Sequence, residues 1–158
     1  MMTVRIREAS IDESELIYQV MIEAFKEYNG KLNPPSGALM ETVDRTIHTF
    51  NIGGGAALTW EGDKLIGSAR YEPVADYMYI GRVSVLPDFR GKGICKALLT
   101  FVENKACAQG FKESRVGVRL SIPENIKVYE RMHYEVIEHT YYPDRTDSWY
   151  VIRKKLST

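Results

Sequence analysis

The stretch LPDFRGKGICKALL, residues 86–99, places two glycines (Gly91, Gly93) among three cations (Arg90, Lys92, Lys96). It lies directly before a segment whose apolar positions, Ile94, Ala97, Leu98, Phe101, Val102 and Ala106, recur at helical spacing. A strand-like run containing Tyr79, Ile80, Val83 and Val85 leads into it. The first N–H groups of a helix have no internal partner, and the helix dipole favours an anion there. Glycines let the backbone approach a ligand closely, and the cations add charge, so a pyrophosphate suits this loop. The plainer alternative is a tight strand-to-helix turn with a solvated basic face. Neither familiar phosphate loop fits. A Walker loop needs Gly-Lys-Ser/Thr, which is absent, and a dinucleotide fingerprint needs a third glycine where Lys96 stands.

Other elements must position this loop. Thr3–Arg7 alternates as a short strand, and Asp12 caps a helix running to Tyr28, with Glu13 and Glu15 in its first turn. Asn29-Gly30 stops that helix and Pro34-Pro35 keeps the next segment a loop. A second helix is expected over 37–50, then strands over 56–60 and 64–71 joined by a hairpin at Glu61-Gly62-Asp63. A strand over 76–86 leads to the glycine loop and to a helix over 93–109, with Gly110 as its C′ residue. A strand over 115–122, a short helix opening at Pro123 and ending near Met132, and strands over 134–142 and 149–155 complete the chain. The order β-αα-βββ-α-β-α-ββ is a mixed α/β (α+β) arrangement and not a strict βαβ repeat.

At 158 residues the chain reads as one domain spanning 1–158. Its 44% apolar and 27% charged residues are ordinary for a globular protein, and its formal net charge is zero. That balance speaks against a nucleic-acid binder. The two cysteines, Cys95 and Cys107, fall on one expected helix with about 18 Å of rise between them, too far for a disulfide. Free thiols suit a cytoplasmic protein. Three histidines (His48, His133, His139) have no metal-ligand spacing, so no metal is expected. The charged N-terminus does not read as a signal peptide, and no stretch approaches a membrane span.

The segment VSVLPDFRGKGICKALL resembles the acetyl-CoA-binding motif of the GNAT superfamily of N-acyltransferases, Arg/Gln-x-x-Gly-x-Gly/Ala. Arg90 and Gly93 match, and Cys95 stands where Gly or Ala is usual. PENIKVYERMHY resembles the family's later helix: Tyr129 falls on its tyrosine, Tyr134 on its aromatic, and His133 replaces a glycine. Asn125 lies four residues before the tyrosine, closer than is usual for the family. The resemblance covers nearly the whole chain and implies a central mixed, mostly antiparallel sheet flanked by helices.

The resemblance also implies the chemistry: transfer of acetyl from acetyl-CoA to a primary amine by direct attack in a ternary complex. Backbone groups of Arg90, Gly91, Lys92, Gly93, Ile94, Cys95 and Lys96 would hold the pyrophosphate. Val83 and Val85 would pair with the pantetheine arm, and one of their amides would polarise the acetyl carbonyl. Asn125 would contact the coenzyme. Tyr129 would be the general acid, since a phenol is protonated at pH 7 and can donate to a departing thiolate. As a plain core aromatic, Tyr129 would pack on an amphipathic helix beside Ile126 and Val128. Glu72 is the named candidate base; Asp76 and Tyr79 lie near it, and Arg82 is an unusual charge inside an apolar strand. Two loops are expected to frame a small amine acceptor, EYNGKLNPPSGALMET and YYPDRTDSWY, with Tyr28, Asn33, Tyr141, Tyr142, Asp144 and Trp149 as candidate walls. The family is often homodimeric. The alternative is a non-catalytic acyl-CoA-binding module or sensor on the same fold.

Overall fold

A computed structural model describes residues 3–156, apart from the side chains of residues 123–125. Seven strands form one sheet: β1 (Val4–Glu8), β2 (Gly55–Glu61), β3 (Lys64–Val74), β4 (Tyr77–Val85), β5 (Glu113–Arg119), β6 (Glu135–Tyr141) and β7 (Ser148–Lys155). Their spatial order is β1-β2-β3-β4-β5-β7-β6. All neighbours are antiparallel except β4 and β5. Among the described residues five α-helices accompany them: α1 (Ser14–Phe25), α2 (Gly37–Met40), α3 (Val43–Asn51), α4 (Ile94–Ala108) and α5 (Pro123–Arg131).

Helices cover the sheet on both faces, so a central strand is buried along consecutive residues and not only at alternate ones. In β3 every residue from Ile66 to Tyr71 is buried. Alternation along β2 divides the core. Ala56 and Leu58 pack with Ile17 of α1, whereas Ala57 joins Ile94, Leu98, Leu99, Val102 and Ala106 of α4.

The first helix opens differently from the sequence expectation. The chain makes a 3-10 turn over Ile11–Glu13 before α1, and Ser10 occupies the cap position in place of Asp12. The Glu13 carboxylate accepts the Ser10 N–H at 3.1 Å and is clamped by Arg7. That two-nitrogen grip holds the Glu13 carboxyl down at about 2.

The expected helix over 37–50 is also two helices. Between α2 and α3, Glu41 and Thr42 are extended. Glu41 is turned inward, where Arg70 of β3 donates to both its oxygens (2.6 and 2.9 Å) and Arg82 of β4 donates from Nε (2.7 Å). Burial raises the Glu41 carboxyl, but the two guanidiniums outweigh burial and leave its pKa below the ordinary value.

The turn after α5 carries a cost. His133 sits at φ 71°, the left-handed region that favours glycine, while Tyr134 N–H reaches back to the Tyr129 carbonyl at 3.2 Å. Relieving that conformation in His133→Gly is expected to stabilise the fold by about 1 kcal/mol. Thermal unfolding should then show a midpoint about 2–4 °C higher. An unchanged or lower midpoint would mean the His133 side chain contributes more than the strain removes.

Candidate active site

The site begins where two strands part. β4 and β5 pair only at Met78, Tyr79 and Ile80 with Ser114, Arg115 and Val116. Beyond these residues β4 stays with β3 as far as Val85, and β5 stays with β7 as far as Arg119. The fork leaves one edge of each strand without a strand partner. At the point of divergence Arg82 adopts φ 49°, and the β3–β4 register shifts between Ser68 and Arg70. Such a left-handed non-glycine residue inside a strand marks a bulge that bends it.

The fork is a cleft of about 350 Å³. Val83, Arg82 and Tyr79 line it from β4, Gly117 and Arg119 from β5, and Tyr129 from α5. Phe25, Tyr142 and Trp149 close its other side. Tyr79 reaches across the fork: a Cβ on Gly117 would stand 2.9 Å from the Tyr79 hydroxyl, so only glycine admits it. Burial raises the Tyr79 phenol above its ordinary pKa.

At the end of β4 the chain makes a 3-10 turn over Pro87–Phe89 and enters the glycine loop. Gly91 (φ 74°) and Gly93 (φ 80°) are both left-handed, and Gly93 is the N-cap of α4. The first backbone bond into α4 runs from Ala97 N–H to the Gly93 carbonyl, 3.0 Å. Among the described residues, none of the N–H groups of Gly91, Lys92, Gly93, Ile94, Cys95 and Lys96 has an intramolecular acceptor. This is a run of consecutive donors at the positive end of a four-turn helix, with Lys92 and Lys96 beside it. An anion with several oxygens is what such a run accepts.

Arg90 differs from its neighbours. Its own N–H bonds the Pro87 carbonyl at 3.3 Å, so that amide is not available to a ligand. Its guanidinium points into the protein, donating to the carbonyls of Val85 (3.0 Å) and Ala24 (2.8 Å) and to the Glu27 carboxylate. Arg90 therefore ties the loop to the C-terminal end of α1, where a cation suits the dipole. It shapes the anion site from behind. The same contact occupies the Val85 carbonyl, and the Val85 side chain is in the core. Val83 lines the cleft.

Cys95 lies within the first turn of α4, and its side chain packs against the core instead of facing the loop. A helical position with an inward side chain explains how a thiol stands where the motif has Gly or Ala. Burial pushes its thiol up to about 11. Neither cysteine forms a disulfide.

Tyr129 is buried and meets Tyr134 edge-on, ring centroids 5.7 Å apart. Its hydroxyl takes no hydrogen bond among the described residues, and its side chain lines the cleft. Burial, then the proximity of Cys95, Tyr134 and Tyr79, holds its pKa well above the ordinary phenol value. Tyr134 has a different occupation. Its hydroxyl contacts Ser114 and donates to the buried Glu103 at 2.8 Å, and Glu103 also accepts from Lys154.

Other residues singled out from the sequence are dispersed. Glu72 accepts from Arg45 at 2.9 Å and is not among the residues lining the cleft. The side chain of Asn125 lies outside the described residues. Asp144 receives the Thr146 hydroxyl at 2.7 Å and N–H at 3.1 Å, within an exposed turn. His139 and Tyr141 stack on the outer strand β6.

The two expected acceptor loops do meet. Thr146 donates to the Asn33 carbonyl at 2.8 Å. Arg119 donates to the Pro34 carbonyl and to Asp147, both at 2.5 Å, and lies 4.7 Å above the Tyr142 ring. Tyr142 in turn meets Trp149 edge-on at 4.8 Å. Arg119, Phe25 and Glu41 were not singled out from the sequence. Arg119 reads there as one of several polar positions on an alternating strand, and only the fold brings Pro34 and Asp147 to it.

Among the described residues no helix is long and apolar enough to cross a membrane, and no cluster of His, Cys, Asp and Glu could hold a metal ion.

Known proteins share this architecture. PaiA N-acetyltransferase from Thermoplasma acidophilum, solved in complex with coenzyme A, superposes with a TM-score of 0.78 at 22% identity, covering 98% of this chain and 99% of that one. The ribosomal-protein-S18-alanine N-acetyltransferase from Escherichia coli gives 0.75 at 16% identity over 99% and 96% of the two chains. In sequence, an acetyltransferase of Pectobacterium atrosepticum is 38% identical over 60 residues, an alignment spanning 38% of this chain and 40% of that relative. The family model described as Acetyltransferase (GNAT) family matches residues 17–134, which include the fork, the glycine loop and Tyr129. The chain is therefore a member of the GNAT acetyltransferase family and an acyltransferase enzyme.

Proposed function

We propose that this enzyme transfers an acetyl group from acetyl-CoA to a primary amine of a small acceptor, by direct attack while both substrates are bound. The observation that carries this reading is the continuity of the fork with the run of unpaired amides from Gly91 to Lys96. One end suits a pyrophosphate, and the exposed edge of β4 suits an extended amide-bearing arm. The other end is a cleft of a size for a thioester and a small amine.

In this reading the amides of Gly91–Lys96 hold the pyrophosphate, and the edge of β4 at Val83 aligns the pantetheine arm. A β4 amide donates to the acetyl oxygen as negative charge develops there. The amine nitrogen attacks the thioester carbonyl and forms the C–N bond. The C–S bond then breaks, and Tyr129 gives its proton to the leaving sulfur. No carboxylate lies among the described residues that line the cleft, and Glu72 is engaged by Arg45. The proton of the acceptor ammonium therefore leaves through water.

Calorimetric titration with acetyl-CoA and coenzyme A, followed by thiol release with a panel of primary amines, tests the proposal. Saturable coenzyme binding with amine-dependent thiol release is expected. Folded protein that binds neither ligand would overturn the reading, and binding without thiol release for any amine would leave only the coenzyme-binding module.

A further inference from the structure

The charges around the cleft say what kind of amine belongs in it. Two arginines, Arg82 and Arg119, are among the residues that line it, and no Asp or Glu is. The two differ in how fully they are neutralised. Arg119 is paired with Asp147, donates to the Pro34 carbonyl and stacks on Tyr142. Arg82 shares one carboxylate, Glu41, with Arg70, and Arg70 takes both oxygens of that carboxylate. Around Glu41 there are thus two guanidiniums and one carboxylate, a surplus of positive charge beside the cleft.

The hydrogen bonding leads to the same point. Arg82 donates only from Nε; its two terminal nitrogens have no acceptor among the described residues. One of them rests against Gly37, where a Cβ would stand 2.8 Å from it. Gly37 also lines the cleft. The guanidinium is therefore held at its inner edge by Glu41, and the absence of a side chain at Gly37 is what admits one of its terminal nitrogens. Its forked outer end remains unpaired, in the geometry that binds a carboxylate or phosphate with two nitrogens. A simple cationic amine would instead meet an uncompensated positive charge, in a cleft that offers no carboxylate.

We propose that the acceptor is a small amine bearing an anionic group, a carboxylate or a phosphate, and that Arg82 is the residue that selects it. The proposal rests on the acetyl-transfer reading above. In it the anionic group binds the terminal nitrogens of Arg82, while Tyr142 and Trp149 wall the remainder of the acceptor. Pairing Arg82 with the acceptor's own anion also fixes the amine at one end of the cleft, opposite the group that anchors it.

The test uses the intact protein saturated with coenzyme A, whose binding is first verified by calorimetry. The fluorescence of Trp149 is followed against a Trp149→Phe background for Trp60. Four probes are titrated in matched pairs: β-alanine and β-alaninamide, phosphoethanolamine and ethanolamine. The anionic member of at least one pair is expected to bind about tenfold or more tightly than its partner. The pair that shows the larger difference tells carboxylate from phosphate. Arg82→Gln, which keeps a donor to Glu41, is expected to abolish the difference while coenzyme affinity is unchanged. Equal binding within both pairs, tighter binding of the uncharged-end partners, no binding of any probe, or discrimination that survives in Arg82→Gln would each overturn the proposal. Loss of coenzyme binding in the wild type is a separate result and would strike the acetyl-transfer reading itself.

Discussion

Gly93→Asp is expected to weaken acetyl-CoA binding about a hundredfold, the equivalent of roughly 3 kcal/mol. Two effects combine. Gly93 is left-handed at φ 80°, a conformation that a side chain adopts at a cost of about 1–2 kcal/mol, with Asp and Asn at the low end. The larger effect is charge. A carboxylate at the N-cap of α4 lies beside the amides proposed to receive pyrophosphate, and like charges about 4 Å apart near a protein surface repel by up to about 4 kcal/mol. A Cβ at Gly93 meets nothing within 4 Å, so the variant should fold. Gly93→Asn separates the two effects, because it brings the same shape without the charge and should lose less than about tenfold. Calorimetric dissociation constants for the three proteins decide the matter. Unchanged affinity in a folded Gly93→Asp protein would remove pyrophosphate from this loop.

The loop was legible in the sequence because its residue types have narrow physical meanings. Two glycines ahead of an apolar-periodic segment call for left-handed turns, and both are left-handed here. Gly62 in the hairpin and Gly110 after α4 followed the same logic and are also left-handed. The seven-strand, mostly antiparallel sheet agrees with the expected order for a related reason: the strand runs are bounded by turn and stop residues such as Glu61-Gly62-Asp63, Pro87 and Pro123.

What escaped the sequence depends on partners far along the chain. Nothing between Met40 and Val43 is a helix breaker by type, so the expected helix ran through. It breaks because Glu41 turns to Arg70 and Arg82 on two different strands. Arg82 was conspicuous as a charge in an apolar strand, but its carboxylate partner and its left-handed backbone were not readable. The destination of Arg90 was equally hidden. Its charge suggested a ligand contact, while two of its three acceptors, Ala24 and Glu27, lie on and just after a helix more than sixty positions earlier. The fork itself follows from a short parallel pairing between β4 and β5, and local alternation carries no information on where such a pairing stops.

Tyr129→Phe is expected to lower kcat about a hundredfold or more while leaving acetyl-CoA affinity and stability nearly unchanged. The affinity should hold because the proposed coenzyme contacts are backbone groups of the glycine loop and β4. Stability should hold because the Tyr129 hydroxyl takes no hydrogen bond among the described residues, and phenylalanine keeps the edge-on contact with Tyr134. The pH dependence gives the more specific test. Burial raises the Tyr129 pKa well above its ordinary value near 10, so in the folded enzyme the phenol keeps its proton throughout the neutral and moderately alkaline range. An acid whose pKa is raised loses its function only as pH climbs through that raised value. Wild-type turnover should therefore rise with pH as the acceptor ammonium deprotonates, and then level without an alkaline fall below pH about 10. In the Phe variant the same rising limb should persist at a uniformly lower level, because that limb belongs to the acceptor. Steady-state kinetics across this range distinguish the possibilities: wild-type kcat in Tyr129→Phe would dismiss the acid role. A wild-type alkaline fall centred well below 10 that disappears in the variant would instead place Tyr129 in a far more polar setting than its burial among Cys95, Tyr134 and Tyr79 allows.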